Sequence, residues 1–178
     1  MRYQIMYSPV GALTIAGTET ELHFILFSSG ARDSGPHPEW EDGMSAVLRE
    51  TLTQVKAYFD RKLVRFDLPL APTGTPFQIQ VWEELTRIPY GHVISYGELA
   101  RRIGRPSAYR AVGAANGANP ISIVIPCHRV VGSNGSLTGY GGGLPVKQAL
   151  LQLEGIVPPQ ERVPSTPREQ KSLSHRSP

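Results

Sequence analysis

The sequence has a single cysteine, Cys127, among its 178 residues. One cysteine excludes an intrachain disulfide, so the composition gives no sign of an oxidising compartment. It also excludes every zinc site that needs two or more thiolate ligands. We expect no bound metal, and no motif in the sequence points to a cofactor.

Long hydrophobic runs are missing as well. No stretch approaches the ~18 consecutive apolar residues of a membrane-spanning helix, and residues 1–6 lack the apolar region of a secretory signal peptide. We therefore expect a cytoplasmic protein without a membrane partner. Hydrophobic residues make up 40% of the chain, which is enough for a packed core in one large domain or two small ones.

Neither sign of charge dominates, but the net charge of +3 is unevenly distributed. Residues 1–72 contain seven Lys/Arg and nine Asp/Glu, whereas residues 73–157 contain seven and four. The last 21 residues, 158–178, contain four and two. The mildly basic central block suits a polyanionic partner, although an excess of this size is more often only a solvated surface.

The first block has the pattern of a small antiparallel sheet covered by one helix. Its predicted elements are strands over residues 3–7, 13–16 and 22–27 and a helix over residues 44–59. The turn signal between the first two strands predicts a hairpin. We end this domain, residues 1–72, at a junction rich in Pro, Thr and Gly.

The second block, residues 73–157, has the pattern of a helix-turn-helix. Its predicted helices cover residues 77–88, run from the N-cap residue Ser95 to Gly104, and run from about Ser107 to Asn119. Glu98 stands at the capping-box position of the second helix. The predicted fold class is therefore α+β, with a small N-terminal antiparallel sheet and a mainly helical, winged-helix-like C-terminal domain.

Ala and Gly fill most of the third helix and leave Arg110 as its one strong cation. Small residues favour either tight helix packing or close approach to a DNA groove, and the spacing does not decide between them. Beyond residue 157 the composition changes to a Pro/Ser-rich tail. With five prolines and four serines, residues 158–178 are predicted to be disordered.

Cys127 follows the apolar run 121–125, which we interpret as a buried strand. A lone cysteine after such a run is most often a small core residue. His128 and Arg129 come next, however, and cations there would favour the thiolate over a thiol of pKa about 8.5. The glycine-rich stretch that follows has the character of a pocket rim.

The segment Pro126-Cys127-His128-Arg129-Val130 resembles the active-site signature of the O6-alkylguanine-DNA alkyltransferases, also called methylated-DNA–protein-cysteine methyltransferases. Further segments match that family in order and spacing. They begin at Ser95, Arg110, Asn119, Thr138, Lys147 and Leu150. The resemblance covers about residues 75–157 with high specificity, whereas residues 1–72 match the family's variable N-terminal domain only loosely.

The resemblance implies a role for each of four catalytic residues. Cys127 attacks the alkyl carbon on guanine O6, and a sulfur nucleophile suits that displacement. His128 acts as the base through a bridging water, and Glu154 orients the histidine. Asn119 braces the active-site turn. The residues alone allow a second interpretation of two of them. Glu154 is then a surface residue near a helix end, and Asn119 is a cap before Pro120.

The resemblance also implies double-stranded DNA containing O6-alkylguanine as the partner. The target base is rotated out of the duplex, Arg110 fills its place, and Tyr96 pushes on the target phosphate. The implied DNA-binding residues are Tyr96, Gly97, Arg105, Arg110 and Ser133. The implied pocket residues are Tyr96, Val130, Tyr140 and Gly141.

The predicted function is thus direct-reversal DNA repair with one turnover per molecule, since water does not easily displace a thioether. O4-alkylthymine is a further candidate substrate. We expect a monomer and leave cooperative binding to DNA open. The alternatives are a non-enzymatic lesion-binding relative, a helix-turn-helix regulator and a cysteine hydrolase.

Small residues at Gly139 and Gly141 favour a pocket with room for alkyl groups larger than methyl. Tyr109 stands where the family usually has alanine.

Overall fold

A computed structural model describes residues 1–28 and 36–157 of the chain. The predicted disordered tail, residues 158–178, lies outside the described residues. Within the part described, no helix is long and apolar enough to cross a membrane. The fold is α+β, as predicted, with a sheet at the N-terminal end and helices in the C-terminal half.

The N-terminal sheet has four strands in the order β3-β2-β1-β4. The strands are β1 (Arg2–Ser8), β2 (Gly11–Gly17), β3 (Leu22–Phe27) and β4 (Glu41–Asp42). The first three are antiparallel, which confirms the predicted hairpin and third strand. The short β4, which the sequence pattern did not reveal, pairs in parallel with β1.

Helix α1 (Ala46–Phe59) covers one face of this sheet. Ser45 caps it, because its side chain accepts a hydrogen bond from the backbone N–H of Leu48 at 3.4 Å. Val47, Leu48, Val55 and Tyr58 form its buried face. The predicted helix is therefore confirmed, and its inner face ends at a fully buried tyrosine.

Residues 73–157, the described part of the C-terminal half, contain four α-helices and a two-stranded parallel ladder. The elements are α2 (Pro76–Leu85), β5 (Ile94–Ser95), α3 (Tyr96–Arg102), α4 (Tyr109–Gly117), β6 (Val130–Val131) and α5 (Leu144–Leu153). Ser95 caps α3 by accepting from Glu98 N–H at 3.1 Å. The predicted capping box is only half formed, because the Glu98 carboxylate pairs with Arg101 and Arg102 instead. Helix α4 has no side-chain cap.

The predicted strand over residues 121–125 is wrong. The segment is buried as expected, but it forms a compact turn in which Ile125 N–H bonds to the Ile121 carbonyl at 3.0 Å. Ile123 lies at a φ of 73°, which β-branched residues rarely adopt. An apolar run fits a buried strand and a buried turn equally well, so the pattern did not distinguish them.

The edge strand β3 connects the two halves of the molecule. Ile25 N–H donates to the Pro120 carbonyl at 2.9 Å, and Ser122 N–H donates to the Ile25 carbonyl at 3.1 Å. The same edge pairs with Leu70 through Leu22. The free edge of the sheet is thus satisfied by the segment that leads into Cys127.

Candidate active site

Cys127 begins a short 3₁₀ turn, Cys127–Arg129, and is only 4% exposed. Asn119 fixes the approach to it through three hydrogen bonds. Its Nδ2 donates to the Ile125 carbonyl at 2.7 Å and to Cys127 Sγ at 3.0 Å, while its Oδ1 accepts from Ile121 N–H at 3.0 Å. Asn119 is therefore bonded to both ends of the preceding turn, residues 121–125, and to the sulfur itself.

The Cys127 thiol lies in a dry environment. Burial raises its pKa, whereas the Asn119 hydrogen bond and the Lys147 charge act to lower it. The prediction that Arg129 favours the thiolate directly is wrong, because the Arg129 guanidinium bonds to Glu154 and to the Ile88 carbonyl. The Cys127 thiol is therefore protonated in the resting protein, and forming a thiolate requires removal of its proton.

His128 is fully buried, and its Nε2 lies 2.8 Å from Glu154 Oε1. Because a carboxylate only accepts, we assign the proton of the neutral ring to Nε2. Nδ1 is then a free lone pair, and it has no hydrogen-bond partner among the described residues. Burial lowers the pKa of His128, while Glu154 opposes this shift. A neutral histidine with a bare Nδ1 is suited to accept a proton.

Glu154 is the C-cap residue of α5 and is buried, so the alternative of a surface residue is wrong. Arg129 contacts it twice, with Nε 2.8 Å from Oε2 and Nη2 2.9 Å from Oε1. Gly91 N–H and the hydroxyl of Tyr58 also donate to it, at 3.2 Å and 2.8 Å. Although burial acts to raise it, the His128 and Arg129 hydrogen bonds and charges lower the Glu154 pKa to about 2.

Lys147 is a buried cation to which the sequence reasoning gave no role. Its Nζ donates to the carbonyls of Val130 at 2.6 Å and Thr138 at 2.9 Å. It also lies 5.9 Å from the centre of the Tyr96 ring. Burial lowers the pKa of Lys147 to about 8. Buried lysines are rare, so its burial marks Lys147 as unusual. The sequence does not reveal that burial, and the residue could therefore not be singled out from the sequence.

A cavity of about 40 Å³ borders Cys127. Its lining comes from both halves of the molecule and consists of Leu26, Phe27, Asn116, Gly117, Asn119, Ser122, Cys127, Gly139, Tyr140 and Gly141. The predicted pocket residues Tyr140 and Gly141 are therefore present. Val130 and Tyr96 are not among the residues that line it. The Val130 carbonyl accepts from Lys147, and the Tyr96 hydroxyl accepts from Thr138. A groove of about 750 Å³ is lined by Pro126 and Arg129 but not by Cys127.

The predicted DNA-binding residues are spread over several elements. Tyr96 and Gly97 start α3, and Arg105 follows that helix, exposed, with its guanidinium 5.5 Å from the Phe77 ring. Arg110 is exposed on α4 and stacks over the outward-facing Tyr109 at 5.8 Å. Ser133 is exposed after β6. Helices α3 and α4 pack together as a helix-turn-helix requires.

A buried cysteine followed by a histidine paired with a glutamate, close to two packed helices of the helix-turn-helix kind, is the arrangement expected of a DNA-binding protein with a reactive thiol. Residues 1–72 match the family described as 6-O-methylguanine DNA methyltransferase, ribonuclease-like domain. Residues 76–156 match the family described as 6-O-methylguanine DNA methyltransferase, DNA binding domain. The chain belongs to the O6-methylguanine-DNA methyltransferase family.

Relatives and solved structures agree with this membership. The methylated-DNA–protein-cysteine methyltransferase of Methanosarcina acetivorans is 48% identical over 155 residues, 87% of this chain and 99% of that protein. The enzyme of that name from Mycobacterium tuberculosis is 46% identical over 86% of this chain and 92% of its own length. The crystal structure of M. tuberculosis OGT in complex with DNA has a TM-score of 0.81 at 44% identity, covering 89% of this chain and 96% of that one.

Proposed function

We propose that this chain repairs alkylated DNA by moving the alkyl group from guanine O6 to the sulfur of Cys127. Family membership supports the alkyl-transfer activity. The observation that carries the assignment to Cys127 is the position of its sulfur. The sulfur borders a cavity, is bonded to Asn119, and is followed in the chain by a histidine paired with a buried glutamate.

The reaction needs one proton removed and one returned. The thiol proton passes through a water to Nδ1 of His128, and the Glu154 carboxylate stabilises the imidazolium that forms. The thiolate then attacks the alkyl carbon, so that a carbon–sulfur bond forms as the bond to O6 breaks. The guanine leaves as an anion and takes up, through water, the proton that the His128 imidazolium holds, so that His128 is neutral again and guanine regains its normal form. The thioether remains on Cys127, which limits each molecule to one turnover.

The DNA has to present its base outside the stack, because Cys127 is buried. A base rotated out of the duplex leaves a gap that a side chain can fill. Arg110 suits this role, since it is exposed on α4 and forms no ion pair among the described residues. Tyr96 contacts the base and target phosphate, and Gly97, Arg105 and Ser133 contact the DNA backbone. The M. tuberculosis relative solved with DNA supports DNA as the partner.

The cavity has to enlarge when the base enters. A volume of about 40 Å³ holds about one water molecule and excludes a purine. The wall most able to yield is the one that contains Gly139 and Gly141, since a Cβ at either position would meet nothing within 4 Å. Tyr140, between them, then becomes a wall of the opened pocket, as do backbone groups at Val130 and Gly141.

We divide the chain into an N-terminal domain over residues 1–72 and a DNA-binding and acceptor domain over residues 73–157. We place the protein in the cytoplasm as a monomer that needs no metal or cofactor. O4-alkylthymine is a second candidate substrate.

The test is transfer of label from a duplex that carries radiolabelled O6-methylguanine. We expect label on the protein in a 1:1 ratio, and none with Cys127→Ala. A duplex in which the label sits on an unreactive position is the control for tight binding. If label stays on the DNA while the protein binds it, the chain is a lesion-binding protein. If Cys127→Ala still takes up label, the nucleophile is another residue.

A further inference from the structure

The hydroxyl of Tyr58 donates a hydrogen bond to Glu154 Oε1 at 2.8 Å, although the two residues lie 96 positions apart. Tyr58 is on α1 in the N-terminal half, and it is fully buried. Glu154 Oε1 is also the atom that contacts His128 Nε2 at 2.8 Å. Tyr58, from the N-terminal half, therefore donates to the same oxygen as His128, the proposed general base in the C-terminal half.

Tyr58 is fixed as a donor. Burial and the Glu154 charge raise its pKa, so the hydroxyl keeps its proton over the whole range in which the protein works. Aromatic rings hold the side chain in place, with Phe59, Phe66 and Tyr90 at centroid distances of 5.4, 5.4 and 6.1 Å. Its hydroxyl thus points at one carboxylate oxygen from a rigid position.

Charge on Oε1 controls how strongly His128 holds a proton. A carboxylate oxygen that accepts from several donors has less negative charge to offer each of them. Oε1 accepts from Tyr58, His128 and Arg129 Nη2. Removing the neutral hydroxyl leaves more of that charge for the imidazolium form of His128, which raises the proton affinity of the histidine.

We propose that Tyr58 is a positioning residue for alkyl transfer, which holds Glu154 Oε1 against His128 and limits the charge that this oxygen gives to the imidazole. This inference rests on the proposed function, in which neutral His128 accepts the thiol proton. The ionisable groups that face the His128–Glu154 pair come from every element packed around it. They are Tyr58 on α1, Tyr90 after α2, Cys127 and Arg129 on the 3₁₀ turn, Tyr140 before α5 and Lys147 on α5.

The matched control is Tyr90. Its hydroxyl donates to the Leu153 carbonyl at 2.9 Å, one residue before Glu154, and makes no bond to the carboxylate. Tyr58→Phe and Tyr90→Phe each remove one hydroxyl from the same aromatic cluster. The two variants therefore separate the loss of a bond to Glu154 from general loosening of the site.

The experiment measures the single-turnover rate of label transfer against pH across the range in which histidine titrates. For Tyr58→Phe we expect the acid-side midpoint to move upward by about 0.5 to 1 pH unit, the effect of a lost hydrogen bond shared with a charged group. Transfer then slows about 3- to 10-fold on the acid side and little above it. Tyr90→Phe should keep the wild-type midpoint.

A third variant keeps the test open if Tyr58→Phe fails to fold. 3-Fluorotyrosine placed at position 58 keeps the ring and strengthens the hydroxyl as a donor, so the midpoint should move downward. An unchanged midpoint in Tyr58→Phe, or an equal shift in Tyr90→Phe, overturns the proposal. If the wild-type protein transfers no label at all, the proposed function fails instead. The Tyr58 inference is then decided by nitrogen NMR titration of His128 in the same variants.

Discussion

Replacing Glu154 by glutamine removes one negative charge from the centre of the site and keeps the shape of the side chain. Glu154 is 4% exposed, and its carboxylate accepts from Arg129, His128, Tyr58 and Gly91. In Glu154→Gln the Arg129 guanidinium stays buried without its counter-charge. The variant therefore tests whether this glutamate holds the two halves of the molecule together as well as orienting the base.

The magnitude follows from the pKa of Glu154, which falls from an ordinary 4.5 to about 2 in the folded protein. A shift of that size corresponds to about 3 kcal/mol of folding free energy. Because the folded pKa is the lower one, this stability is present above pH 4.5 and is lost as pH falls towards 2. Removing one partner of a buried ion pair costs about 3–5 kcal/mol. This is a large part of a typical free energy of unfolding of about 5–15 kcal/mol.

The assay is urea unfolding at neutral pH and at several pH values below 4.5. We expect Glu154→Gln to lose about 3–5 kcal/mol at neutral pH and to show a flatter acid dependence than the wild-type protein. His128 adds acid sensitivity of its own, because its pKa is lowered in the folded protein. As pH falls below 6.5 the unfolded state takes up this proton more readily than the folded state, so stability is lost. Glu98→Gln, at a partly exposed ion pair, is the control and should change little. A wild-type acid slope in Glu154→Gln would refute the reasoning.

Three more substitutions test other parts of the site. Asn119→Ala should cost about 1–3 kcal/mol and raise the pKa of the Cys127 thiol, because it removes bonds to the turn and to the sulfur; an unchanged thiol titration would contradict this. Arg110→Ala should slow transfer from duplex DNA by about 10-fold or more, equivalent to ~1.4 kcal/mol, with no change in Tm and none in the reaction with free O6-benzylguanine; equal slowing on the free base would exclude a role in base extrusion. Gly141→Phe should reduce activity on O6-benzylguanine more than on O6-methylguanine, since Gly141 lines the cavity; equal loss on both would exclude a size-selecting role.

Local sequence signals predicted the elements whose cause is itself local. Ser95, the N-cap that the sequence predicted, caps α3, whereas the structure adds Ser45 and Thr75 as the caps of α1 and α2. The hairpin of β1 and β2 likewise depends on a turn and alternation within 16 residues, from Arg2 to Gly17. The same reasoning missed the two-residue strand β4, and it was wrong for residues 121–125, since burial and β-branching there do not specify a strand.

The site could be predicted only in part, because its contacts join distant segments. Cys127 and His128 were identifiable as neighbours in the chain. The partners of Glu154, in contrast, come from positions 58, 91, 128 and 129, and no periodicity relates them. Arg129 illustrates the difficulty: its position beside the cysteine suggested electrostatic help to the thiolate, whereas its side chain turns to Glu154.

The turn over residues 121–125, just before Cys127, is in contact with the N-terminal half of the molecule. Ile123 adopts a φ of 73°. This backbone conformation raises the free energy of the folded state by about 1–3 kcal/mol, and it persists only where the surrounding structure enforces it. Asn119 bonds to both ends of this turn, at Ile121 and Ile125, and Ile25 of β3 bonds to Pro120 and Ser122 at its start. Strand β3 thus fixes the backbone that presents the sulfur, while Tyr58 of α1 reaches the carboxylate behind the base. Although the diagnostic motifs lie in residues 75–157, substitutions at either of these two contacts should change the transfer step itself and not stability alone.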